Sequence, residues 1–85
     1  MNTKKNKLPK WFNGTVYEIG DEVRNPFSGE IYFLNAEELS MYDFIKGSEY
    51  SAELIGHKDW LIKDMRKGLD WFRTNNPKAY MVLLD

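Results

Sequence analysis

KDWLIKDMRKGLDWFRTN, residues 58–75, is the stretch that decides the fold. At ~100° per helical residue, Leu61, Ile62, Met65, Leu69 and Phe72 share one arc, and Lys63, Arg66, Lys67, Asp70 and Arg73 take the opposite one. A segment sorted this way is an amphipathic helix with a core on one side. Trp60 and Trp71 stand about three turns apart on one edge of the apolar arc, with Gly68 beside them. Two indoles around a glycine make an edge suited to a second surface. Trp60, Gly68 and Trp71 are therefore the expected protein-interface residues. Trp in a small core is also commonly structural, and the two roles are compatible in a dimer.

Upstream, Asn35-Ala36-Glu37-Glu38 reads as a helix start. Asn35 is placed to cap the amide of residue 38, Glu38 sits where a capping box puts its acid, and both glutamates suit the positive end of the helix dipole. Beyond it, Met41, Phe44, Ile45, Ser48, Ala52 and Ile55 recur at spacings of three and four, so the helix is expected to run through Gly47 to Ile55. Gly56 suits the residue that ends it, and the Trp-bearing helix then returns antiparallel after a short connection.

The region before Asn35 is β-prone, with Thr15–Ile19, Glu22–Arg24 and Glu30–Leu34 as candidate strands. Asn25-Pro26-Phe27-Ser28-Gly29 between the last two has the chemistry of a turn. Pro presets φ, Asn bonds its own backbone, and Gly takes positive φ. A hairpin this small needs one face on the helices, and Phe27 is expected to fold back onto the sheet. At the other end, Asn76-Pro77 reads as a cap and first helical residue, so Lys78–Leu84 is expected as a short closing helix, with a terminal strand as the alternative. The expected fold is α+β: an N-terminal β-hairpin or three-strand meander packed on an antiparallel helical pair, with a short C-terminal helix. Residues 1–10 are expected as a disordered lysine-rich tail and 11–85 as a single domain.

The chain is short, so its core must come from a few large side chains, and 15% of its residues are aromatic. There is no Cys, which excludes disulfides and thiolate metal sites. No apolar run approaches ~18 residues, and the cationic start is followed by no apolar signal segment, so a cytoplasmic protein is expected. The formal net charge of −1 hides an uneven layout. Lys4, Lys5, Lys7 and Lys10 make the first segment basic, and residues 18–53 carry many acids against only Arg24 and Lys46. Residues 54–85 turn basic again. Such a layout favours packing the acidic middle against a basic end, within or between chains.

Catalytic chemistry is sparse. His57 with Glu53 one turn earlier is the only acid–base pairing on offer, and Glu53, His57 and Asp59 are too loosely spaced to specify a metal site. Neither a phosphate loop nor a dinucleotide fingerprint is present. No catalytic residue, metal or cofactor is expected. The lysines with Trp11 resemble an arm in which cations neutralise phosphates and an indole stacks on a base, which makes nucleic-acid contact through Lys4, Lys5, Lys7, Lys10 and Trp11 the alternative function. No basic face accompanies that arm.

Two segments, NPFSGEIYFLNAEELSMYDFIKG and MRKGLDWFRTNNPKAYMVLLD, resemble small uncharacterised proteins of tailed phages of marine cyanobacteria. The resemblance implies a phage setting and no particular activity. The expected function is accordingly that of a non-enzymatic small phage-type protein acting through protein–protein contacts, as a homo-oligomer (a dimer by preference) or on a host or phage protein.

Overall fold

Asn25 organises the sheet. Its Oδ1 accepts hydrogen bonds from the backbone N–H groups of Phe27 (2.8 Å) and Ser28 (3.2 Å), its carbonyl accepts from Gly29 N–H (2.8 Å), and Gly29 takes φ +80°. The chain thereby reverses between strand β1, Asp21–Arg24, and strand β2, Ile31–Leu34, in the computed structural model, which describes residues 7–85. The two strands are antiparallel, with Val23 opposite Tyr32 and Asp21 opposite Leu34. Val23, Tyr32 and Leu34 turn toward the helices, and Leu34 is completely buried.

Three helices follow: α1, Ala36–Ile55; α2, Asp59–Asn75; and α3, Pro77–Leu83. The architecture is α+β. The capping box forms as the sequence requires, with Asn35 Oδ1 accepting from Glu38 N–H (2.8 Å) and Glu38 Oε1 accepting from Asn35 N–H (3.0 Å). α1 runs unbroken through Gly47 and stops at Gly56, whose φ is +92°. Asn76 caps α3 by accepting from Ala79 N–H (3.1 Å), and Pro77 occupies its first turn, so the C-terminal segment is helix.

Leu34, Met41, Ile45, Phe72, Ala79 and Leu83 form the buried centre of the core, contributed by β2, the first half of α1, the last half of α2, and α3. The helical pair continues past it. Between Glu49 and Met65 the buried residues are only Ala52 and Leu61, and Ile55 is half exposed although it continues the apolar stripe of α1. Among the described residues no other element crosses that end of the pair, so the stripe outlasts the surface they offer to cover it.

Two expectations fail. Thr15–Ile19 forms no strand, so the sheet is the two-strand hairpin and not a three-strand meander. The segment is instead held across α1, where Tyr17 N–H donates to Ser40 Oγ (2.9 Å). It then presses Gly20 onto β2, where a Cβ would overlap the Leu34 carbonyl oxygen. Phe27 does not fold back: it is 95% exposed at the tip of the turn.

Candidate interaction surfaces

The three residues expected at an interface take different places. Gly68 is buried and faces α1: a Cβ there would stand 2.9 Å from Ile45 Cγ1 and 3.4 Å from Met41 Sδ. The glycine sets the crossing of the two helices of its own chain and is not open to another molecule. Trp71 is half-buried, packed edge-on to Phe72 with ring centroids 6.4 Å apart, and its Nε1–H donates to the Lys7 carbonyl (3.1 Å). The chain's own N-terminal segment therefore covers part of this indole. Trp60 is 59% exposed.

That N-terminal segment is folded where the structure describes it. Leu8 packs on the core, and a turn closes with Phe12 N–H donating to the Pro9 carbonyl (3.0 Å). Trp11 and Phe12 then lie against Phe44, with ring centroids at 5.8 and 5.4 Å, and Lys67 Nζ sits 5.5 Å from the Trp11 ring centroid. Lys7 and Lys10 are exposed, and Lys4 and Lys5 lie outside the described residues. The indole that the alternative reading reserves for a base is thus engaged within the chain. Trp11 and Trp71, which the sequence assigned to rival functions, line one shallow groove of about 370 Å³ together with Lys67, Asp70, Thr74 and Asn75.

Apolar side chains also stand exposed together at two other places among the described residues. One is the end of the helical pair, where Tyr50, Leu54, Ile55 and Trp60 are all exposed. The other is the outer side of the hairpin, where Phe33 and Ile31 face away from the core opposite Glu22 and Arg24. Sequence reasoning missed Ile31 and Phe33. The run Ile31-Tyr32-Phe33-Leu34 is apolar throughout, so alternation within it is invisible; only the register set by the Asn25 turn separates its two faces.

His57, Glu53 and Asp59 are each exposed. Among the described residues no group of three or more His, Asp or Glu side chains could hold a metal ion. Within the same residues no helix is long and apolar enough to cross a membrane. The chain matches no family model, no curated protein and no solved structure.

Proposed function

We propose that this chain is a non-enzymatic interaction protein that self-associates through the outer end of its helical pair. The observation that carries this reading is the cluster of exposed Tyr50, Leu54, Ile55 and Trp60 around the turn between α1 and α2, where the pair outruns its core. Two antiparallel helices with surplus apolar surface are half of a four-helix arrangement. A second copy laid against them would supply the missing half. The flanking charges are mixed, with Glu53 and Asp59 against Lys58 and Lys63, so like surfaces can meet without net repulsion. The resemblance to small cyanophage proteins implies a phage setting, in which a host-directed or assembly-accessory role would fit a contact module of this kind. Nucleic-acid binding has less support, because Trp11 stacks inside the chain.

Light scattering during gel filtration tests the reading. Wild type should run as a dimer, and Trp60→Ala should weaken association about tenfold or more with the circular dichroism spectrum unchanged. A monomer at every protein concentration would remove self-association.

A further inference from the structure

The two-strand sheet leaves one edge of β2 open. Asn25 N–H donates to the Glu30 carbonyl (2.8 Å), so Asn25 and Glu30 are a hydrogen-bonded pair. In the antiparallel register the bonded pairs then alternate to Val23–Tyr32 and Asp21–Leu34. The backbone N–H and C=O groups of Ile31 and Phe33 therefore point away from β1, and no other described residue hydrogen-bonds them. Ile31 is 51% and Phe33 60% exposed, so this edge stands in water.

Edge strands are normally guarded by charges, proline or a bulge. On β1 the outward backbone belongs to the charged residues Glu22 and Arg24, and the Glu22 N–H is already taken by Asp21 Oδ1 (2.7 Å). β2 reads Ile-Tyr-Phe-Leu, with none of these devices and a regular register along its length. A sheet of two strands is also too small to be stable by itself, so it gains from a further strand.

The open edge is complementary to itself. Two antiparallel copies meet about a two-fold axis perpendicular to the sheet, with outward-bonding residues facing one another. An axis at Tyr32 sets Ile31 opposite Phe33 of the second copy, and Phe33 opposite Ile31 of the second copy. Each cross-strand row of side chains then runs Glu22, Phe33, and Ile31 and Arg24 of the second copy. The apolar pair stands at the centre of the row, where cross-strand side chains touch, and the ends carry one acid and one base. An axis at Ile31 would end the central row in two arginines, and one at Phe33 in two glutamates. Because Arg24 balances Glu22 within each copy, no net charge on this face opposes the approach.

We propose that β2 pairs with β2 of a second copy in the Tyr32-centred register, joining two hairpins into one four-stranded antiparallel sheet with both helical layers on the same side. This rests on the reading of the chain as a self-associating module but uses a surface separate from the Trp60 end. The strand has 4 residues, so the contact is small and forms at high protein concentration. A chain that uses both contacts assembles beyond the dimer.

The test is amide-resolved hydrogen exchange of the full chain, dilute and concentrated, with chemical shifts followed over the same series. In the dilute chain the Tyr32 and Leu34 amides, bonded to β1, should exchange slowly and those of Ile31 and Phe33 quickly. On concentration, exchange at Ile31 and Phe33 should slow about tenfold or more. Ile31→Pro removes an outward donor and spares the ladder to β1, which retained protection at Tyr32 checks. In that variant Phe33 should exchange quickly at every concentration. Ile31→Lys keeps every backbone group and should weaken the edge contact about tenfold. The slowing should persist in Trp60→Ala. Quick exchange at Ile31 and Phe33 in the concentrated wild-type chain would overturn the proposal. So would slowing that survives Ile31→Pro with Tyr32 still protected, or slowing that disappears in Trp60→Ala. Slowing at Ile31 and Phe33 without shifts at Tyr50, Leu54, Ile55 and Trp60 would remove the helical contact and leave the edge standing. Shifts at those four residues without the slowing would do the reverse.

Discussion

Gly68 of α2 lies against Ile45 of α1 with no room for a methyl group, since a Cβ would reach 2.9 Å from Ile45 Cγ1. Gly47, in the middle of α1, has nothing within 4 Å of the same position. Two helical glycines in one small domain thus serve opposite ends. The first permits the helices to approach. The second carries only the intrinsic cost of glycine in a helix, about 1 kcal/mol relative to alanine.

The same substitution should therefore have opposite effects at the two sites. Gly47→Ala is expected to stabilise the protein by about 0.5–1 kcal/mol in urea unfolding. At Gly68 the propensity gain meets a clash with a branched, fully buried side chain that has no free end to swing away. Gly68→Ala is expected to gain nothing, and Gly68→Val to lose roughly 2–3 kcal/mol. Equal stabilisation by alanine at both positions would mean that the helices can separate without cost.

Glu38 gives the second prediction. It is only 5% exposed, yet it is a first-turn residue of α1, a position that is usually solvated. Its Oε1 closes the capping box and its Oε2 accepts from Asn76 Nδ2 (2.9 Å), so one carboxylate joins the start of α1 to the cap of α3. Asn76→Ala removes both that bond and the cap of α3, and should cost about 1–2 kcal/mol. Glu38→Gln should cost a similar amount. The double variant should lose less than the sum, because the shared bond disappears in either single one. Additive losses in a double-mutant cycle would show the two caps to be independent.

Much of this framework was legible because it depends on neighbours in sequence. The capping box needs only Asn35 and Glu38, the α3 start only Asn76 and Pro77, and the hairpin turn only Asn25 to Gly29. The arc of α2 follows from its own spacing. What was illegible depends on residues far apart. Thr15–Ile19 has strand composition, but whether it pairs is decided by where Gly20 lands on Leu34. Gly68 lies between the Trp edge and the apolar arc, and only Ile45 across the helix interface assigns it to the core. Phe27 is left exposed on a turn whose Asn25 side chain is tied to Val82, a partner on the last helix.

The N-terminal segment makes a third case that can be checked directly. Read as a lysine-rich tail, residues 1–10 would be dispensable for stability. The structure puts Leu8 on the core and the Lys7 carbonyl on Trp71 Nε1. Deleting residues 1–10 should therefore lower Tm by several degrees, as expected for a loss of about 1–2 kcal/mol from a domain of this size. It should also red-shift Trp fluorescence as Trp71 becomes wetter. Deleting residues 1–6 alone leaves both contacts in place and serves as the comparison. An unchanged Tm after the longer deletion would mean that the segment rests on the domain without stabilising it.

Asn25 should be the most sensitive polar residue of the hairpin. Its side chain accepts from two amides of the turn and donates to the Val82 carbonyl, so it shapes the reversal and fixes it to α3 at once. Asn25→Ala leaves those amides to water and unties the tip, with an expected loss of about 1–3 kcal/mol. Asn25→Asp separates the two roles: the acceptor for Phe27 and Ser28 remains, but the donor to Val82 is gone and a carboxylate faces a carbonyl. If the tie to α3 dominates, Asp should be as damaging as Ala, and amide exchange should quicken across Ile31–Leu34 as well as in the turn. If the turn geometry dominates, Asp should recover most of the stability while Ala does not. The first outcome is expected, because a two-strand sheet has little stability of its own and its order comes from what it is fastened to.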